Sequence, residues 1–182
     1  EHQRLSAFYK MAAEEAPLII ATIEGLLQRT LSPEDLASHV VTVETGKQYD
    51  LNELADKLAA LGYTRCQQVE GVGQFALRGG ILDFFTPGYP NPVRCEFWGD
   101  DIDSMGFFDI DSQRRIEPID ACTVLPAAET LPSMYPGGEA ALGDKLEQIA
   151  KQYPGVSAQN IMDFNGIGSG IKPGMKLKIP KL

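Results

Sequence analysis

The chain has little with which to do covalent chemistry. Its two histidines, His2 and His39, stand without catalytic or ligating neighbours in sequence, so both read as surface or packing residues rather than parts of a metal site or a nucleophilic dyad. No G-x-x-x-x-G-K-[ST] run occurs, which excludes a nucleoside-triphosphate P-loop. Gly71-Val72-Gly73 lacks the third glycine and the following helix of a dinucleotide fingerprint. Three cysteines, Cys66, Cys95 and Cys122, are an odd number without C-x-x-C spacing. They argue against a disulfide framework or a zinc site and fit a reducing cytoplasm. Asp100-Asp101-Ile102-Asp103 offers oxygen ligands to a hard cation, but without the glycine and distal Glu of a calcium loop it reads as a solvated turn. The expectation is a protein with no enzyme activity, no cofactor and no metal.

Basic residues are also scarce. Lys and Arg number 16 against 25 Asp and Glu, a net charge of -9, and an acidic surface repels a phosphate backbone. No nucleic-acid partner is expected for the chain as a whole. Nor does any apolar run approach the roughly 20 residues of a membrane helix; the longest, Pro17–Thr22, is strand-length. No signal peptide precedes the rest, and an opening at Glu1-His2-Gln3-Arg4 without Met is what a fragment would show. A cytoplasmic protein is expected.

What is present is an ordinary globular composition, 43% hydrophobic over 182 residues, enough for one domain or two small ones. Charge divides it. After residue 132 six lysines face four carboxylates, so the carboxyl-terminal part is positive and the first 132 residues carry all the negative excess. The Pro/Gly-rich joint Leu131-Pro132-Ser133-Met134-Tyr135-Pro136-Gly137-Gly138 lies where the balance changes and reads as a domain boundary.

Before the joint, spacing predicts a helix over Arg4–Glu15, stopped by Pro17, then a buried strand at Leu18–Ala21 and a short helix through Ile23, Leu26 and Leu27. Ser32-Pro33-Glu34-Asp35 opens a further helix, and His39–Val43 reads as a strand. Asp50 caps a helix with Leu51, Leu54, Leu58 and Leu61 on one face and Gly62 at its end. From Tyr63 to about Leu125 the period becomes two. Gln74–Arg78, Ile81–Phe85, Val93–Trp98, Ile102–Phe108 and Arg114–Ile119 are strands of an antiparallel sheet. After the joint, Lys145–Ala150 and Ala158–Phe164 (capped by Ser157) read as helices and Lys176–Ile179 as a strand. The fold class is α+β.

The sheet carries the feature of interest. Alternate residues of a strand share a face. Val93, Cys95 and Phe97 face the core, which turns Arg94, Glu96 and Trp98 outward; Phe75 and Leu77 face in and Arg78 out. Arg and Trp are the types most enriched at binding hot spots. The alternation also leaves open a plainer arrangement, with Trp98 packed under the adjacent helix and the arginines in surface ion pairs.

Gly62–Arg65, Val69–Phe85, Val93–Ser104, Phe108–Asp109 and Ser112–Arg115 together resemble, at fixed spacing, the amino-terminal UvrB-like region of the bacterial transcription-repair coupling factors (Mfd), over about residues 1–132. The resemblance implies a division. Residues 1–42 would be the tail of a helicase-like but ATPase-inactive first domain, 43–120 a β-rich domain that binds UvrA, and 121–138 a return strand and linker. It also implies that Arg78, Arg94 and Trp98 contact UvrA, the last standing where the family usually has Phe. A full coupling factor continues into a polymerase-interacting domain and a translocase motor. Neither is in this sequence, so ATP hydrolysis and translocation are not expected of it.

Residues 139–182 resemble something else. Gly143–Leu146, Ile149–Ala150, Tyr153, Val156, Ile161, Asn165–Ile167, Ile171–Gly174 and Lys176–Pro180 are similar to a LysM module, a βααβ fold whose first strand would lie near Glu139-Ala140-Ala141. The resemblance implies a groove for N-acetylglucosamine-containing glycans, chitin or peptidoglycan, formed by Gly143, Asp144, Lys145 and Leu146 with Asn165, Gly166, Ile167, Gly168 and Ile171. A purely structural role for these residues stays open beside it, as does a reading in which Leu142–Gln152 continues a coupling-factor helix.

The resemblances point to different compartments, since UvrA is cytoplasmic and peptidoglycan lies outside the membrane. A fusion, a truncated gene with a new tail, and a LysM module acting as a cytoplasmic interaction unit all remain open. Docking of UvrA leads; glycan binding is the second reading and an inactive fragment the third.

Overall fold

The computed structural model describes residues 2–13, 18, 20–27, 31–129, 131, 137–165 and 177–180. They fall into two compact units, 1–129 and 130–182.

The first unit opens with three helices, α1 (His2–Ala12), α2 (Ile23–Leu27) and α3 (Pro33–Ser38). Ser32 caps α3 by accepting from the Asp35 amide at 3.0 Å, with Pro33 in the first turn. Leu5 and Leu36 are the buried anchors of α1 and α3, which pack together. The described residues of Leu18–Ala21 do not form the expected buried strand; Ile19 lies outside the described residues. Leu18, Ile20 and Ala21 lie outside any strand, and Leu18 and Ile20 are 77% and 90% exposed. A strand needs a neighbour to satisfy its amides, and none of the described strands pairs with this segment.

Strand β1 (Val41–Glu44) then pairs antiparallel with β8 (Ala121–Val124), Val43 against Cys122, both buried. The chain therefore enters and leaves the β-rich region side by side. Helix α4 (Leu51–Ala60) follows, capped by Asp50, whose carboxylate accepts from the amides of Asn52 and Glu53. Such a cap is worth about 1 kcal/mol. Leu54, Ala55 and Leu58 turn inward and α4 lies against β3. Gly62, at φ +85°, ends the helix in the left-handed conformation that suits glycine.

Six strands form the main sheet in sequential order: β2 (Thr64–Arg65), β3 (Gln74–Arg78), β4 (Ile81–Phe84), β5 (Val93–Trp98), β6 (Asp101–Phe108) and β7 (Arg115–Pro118). All pairs are antiparallel except β2 with β3. Five of the strands match the sequence expectation to within a residue at most ends. Two-residue β2 is too short to show a period in the sequence. In register, Phe75, Phe84, Val93 and Phe107 line one row and Leu77, Leu82, Cys95 and Met105 the next, which makes the core face. The return segment is tied in by buried polar contacts: the Tyr63 hydroxyl donates to the Leu125 carbonyl at 2.7 Å, and the Leu125 amide donates to Thr86 Oγ1 at 2.9 Å.

The second unit contains α5 (Gly138–Ala150) and α6 (Ala158–Phe164), with Leu142, Leu146, Ala150 and Ile161 as its core. The strand expected near Glu139–Ala141 is helix. Glu, Ala and Leu are strong helix formers and here continue without interruption into the next turn. Leu177, Lys178 and Ile179 lie outside any strand, since the segment that would have paired with them is helical. Asn165, the C-cap of α6, takes that place. Its Oδ1 accepts from the Lys178 amide at 2.8 Å, and its Nδ2 donates to the carbonyls of Lys178 and Ile161.

Candidate functional site

The outer face of the main sheet is built on one row of paired residues. Ala76 on β3 faces Asp83 on β4, Asp83 faces Arg94 on β5, and Arg94 faces Gly106 on β6. Asp83 is 0% exposed. An acid in the apolar run Ile81-Leu82-Asp83-Phe84 must find cations or remain neutral, and it finds two. Arg94 grips it with one edge of the guanidinium, Nε to Oδ1 at 2.7 Å and Nη2 to Oδ2 at 2.8 Å. Arg78, from the end of β3, donates Nη2 to Oδ2 at 2.6 Å.

Arg94 is held from three further directions. Its guanidinium carbon lies 4.4 Å from the centre of the Phe108 ring. The carbonyl and side-chain oxygens of Gln113 accept from it, each at 3.2 Å. Gln113 is presented by a stapled turn: Ser112 donates to the Asp109 carboxylate through both its amide and its hydroxyl, and the Gln113 amide donates to the Asp109 carbonyl. Gln113 sits at φ +59°, a conformation rare for a side-chain-bearing residue and costing on the order of 1 kcal/mol. The hydrogen bond to Asp83 raises the Arg94 pKa above its ordinary value, against burial, which lowers it. The hydroxyl and amide of Ser112 hold the exposed Asp109 below the usual carboxylate range.

A second cluster continues the face. Ser104 donates to Glu96 at 2.6 Å and accepts from Arg115 Nη2 at 2.8 Å. Gly106 leaves room for this crossing, since a Cβ there would lie 2.7 Å from the Glu117 carbonyl oxygen and 3.3 Å from Arg115 Nε.

Trp98 closes β5. The pairing of β5 with β6 shifts register after Glu96, so that Phe97 faces buried Ile102 and Trp98 faces exposed Asp101. The extra residue, Asp103, falls on β6, so the alternation along β5 is kept. Trp98 is 83% exposed, which excludes the plainer arrangement of an indole packed under a helix. The arginines do make ion pairs, but with a buried acid. The side chain of Arg78 is 46% exposed and that of Arg94 only 18%. The outer face is also less open than alternation suggests, for Val69, Ala76, Phe85 and Phe108 form a second apolar cluster on it. Sequence reasoning missed Asp83 and Gln113. The signal for Asp83 was a charge inside an apolar strand; Gln113 gave none.

In the second unit, Gly143, Asp144, Lys145 and Leu146 stand on α5, not on the loop expected after a first strand. Leu146 is fully buried in the core and is not available to a ligand, a correction to the expected groove; Asp144 and Lys145 are exposed. Asn165 is engaged by the Lys178 backbone, as above. Gly166, Ile167, Gly168 and Ile171 lie outside the described residues.

Among the described residues no group of three or more His, Cys, Asp or Glu side chains is arranged to hold a metal ion. No described helix is long and apolar enough to cross a membrane.

Residues 41–129 match the family model of the UvrB interaction domain and residues 141–180 that of the LysM domain. Among curated proteins, the chain is 34% identical over 139 residues to the transcription-repair-coupling factor of Escherichia coli (strain K12), 76% of this chain and 12% of that protein. It is 32% identical over 146 residues to that of Bacillus subtilis (strain 168), 80% of this chain and 12% of the relative. For Mycobacterium tuberculosis (strain CDC 1551 / Oshkosh) the identity is 31% over 159 residues, 79% of this chain and 13% of the relative. The chain thus spans about an eighth of the length of the curated relatives it matches.

Proposed function

We propose that this chain, which resembles the UvrB-like region of the transcription-repair-coupling factors and matches a LysM domain after it, is a non-catalytic, cytoplasmic module that docks UvrA through Arg78, Arg94 and Trp98. The observation that carries the reading is the outer face of the main sheet. Two arginines share one buried carboxylate, and an indole stands 83% exposed at the end of the same strand as Arg94. An exposed indole costs solvation and gains nothing for folding, so its area is available to a partner. The part facing UvrA would be residues 43–120, with 1–42 and 121–138 as flanking pieces of a first domain and 139–182 as the LysM-like tail.

Calorimetric titration of the chain with purified UvrA tests it. Binding by the native chain, and loss of at least about tenfold in affinity in Trp98→Ala, is the expected result for an interface hot spot. A folded chain that shows no heat of binding would refute the docking reading.

The LysM match at residues 141–180 favours a second reading, glycan binding by the second unit. Of the residues expected to line a groove, Asp144 and Lys145 are exposed on α5. Titration with chitin oligomers tests it, with Asp144→Ala as the variant; identical isotherms for native chain and variant would remove these residues from any glycan site.

A further inference from the structure

We propose that Asp83 is the positioning residue of the outer face: its buried carboxylate holds Arg78 and Arg94 as one oriented pair, and the pair, not either charge alone, is what a partner meets. This rests on the docking reading above.

The triad is a poor device for stability. A buried ion cluster loses hydration that its mutual attraction only partly returns, and well-packed apolar side chains of similar volume often do as well or better. Such side chains surround the position. Leu82 and Phe84 flank Asp83 in sequence, and Ala76 and Phe108 lie on its own face of the sheet. An apolar residue at 83 would merge with that cluster. What the carboxylate supplies instead is direction. It accepts from two nitrogens along one edge of the Arg94 guanidinium and from a second guanidinium, three charge-assisted bonds on two oxygens.

The rest of the construction acts on the same two side chains. Gln113, at an unfavourable φ of +59°, spends both of its oxygens on Arg94, and the Phe108 ring supports the same guanidinium. Arg94 is therefore immobilised before any partner arrives. Arg78 is tethered by one nitrogen and remains 46% exposed, so it presents the accessible N–H donors. Long side chains lose rotamer entropy on docking. Asp83 removes that cost in advance. With two cations on one anion the triad keeps a net positive charge, which suits a carboxylate-bearing protein surface.

The test uses the full chain as native protein, Asp83→Asn and Asp83→Glu, each titrated with UvrA. In parallel, solvent exchange of the Arg94 Nε–H is followed by NMR, the signal being assigned by its loss in Arg94→Lys. In Asp83→Asn the expected results are exchange at least about tenfold faster and UvrA affinity at least about tenfold weaker, with the Trp98 emission maximum unchanged. Asp83→Glu keeps the charge but displaces it by one methylene; it is expected to fold and still to bind at least about tenfold more weakly, because position is what matters. Folded Asp83→Asn or Asp83→Glu that binds within about twofold of the native chain overturns the proposal. So does weakened binding with Arg94 exchange unchanged in Asp83→Asn. If neither variant folds, Asp83 is a structural residue and the proposal is wrong. A native chain that fails to bind UvrA refutes the docking reading instead, and the positioning role falls with it.

Discussion

Asp83 and Arg94 face each other directly across β4 and β5, and the two side chains meet through two hydrogen bonds of 2.7 and 2.8 Å. The Asp83 side chain is 1% exposed and that of Arg94 18%. This pair makes Arg94 part of the fold as well as part of the surface, and it separates residues that the sequence groups together.

Arg94→Ala is expected to destabilise the first unit by about 3 kcal/mol, because it leaves Asp83 buried with one cation where it had two. Arg78→Ala should cost about 1 kcal/mol or less, since Arg78 is nearly half exposed and Arg94 still grips the acid. Urea midpoints of the two variants check this; equal midpoints would mean that Arg94 contributes nothing beyond a surface charge.

Trp98→Ala should change folding stability by no more than about 0.5 kcal/mol, as expected for a surface substitution. In the native chain the single indole should emit at the wavelength of water-exposed tryptophan, be quenched by acrylamide, and become protected when UvrA is added. A blue-shifted, protected emission from the chain alone would place Trp98 in a packed environment and contradict its exposure.

High pH should destabilise the first unit. Burial pushes the Cys122 thiol up to about 12 from the ordinary 9.0. Burial likewise raises Cys95, Tyr63 and Tyr89. The folded state keeps protons that the unfolded chain releases, so this contribution is fully present below about pH 9 and is lost as pH rises toward about 12. Urea midpoints at about pH 8 and about pH 10.5 should differ. Cys122→Ala should flatten that dependence by roughly 1 kcal/mol per pH unit.

Asn165→Ala should destabilise the second unit by about 1–2 kcal/mol, because the amide and carbonyl of Lys178 and the carbonyl of Ile161 lose their shared partner. Asn165→Asp keeps the acceptor for the Lys178 amide but loses both donors, and should fall between. Thermal unfolding of the two variants beside the native chain distinguishes them; no change in either would remove Asn165 as the clamp on residues 177–180.

The local signals depend on no tertiary contact. Ser32, Asp50 and Ser157 are caps because a short polar side chain ahead of an apolar periodic run satisfies amides that nothing else reaches. The strands from Gln74 to Pro118 showed themselves through period two and through the Gly and Pro clusters between them. Leu18–Ala21 misled for the opposite reason: an apolar run states a preference for burial, and only a neighbouring strand can grant it. Glu139–Ala141 misled because the LysM pattern demanded a strand where the residues themselves prefer helix.

The amino-acid sequence by itself determined the α+β class, the caps of the first unit, its strands from Gln74 to Pro118, the outward facing of Arg78, Arg94 and Trp98, and the resemblance to two known domains. Each of these depends on neighbours in sequence or on a spacing pattern. Tertiary structure alone decided that Asp83 lies beneath both arginines, that Gln113 covers Arg94, and that Leu146 is core. Register between β4 and β5, the bulge in β6 and the turn at 109–113 bring those groups together. Register is set by the packing of whole strands, which shifts every side chain at once if it slips by one residue.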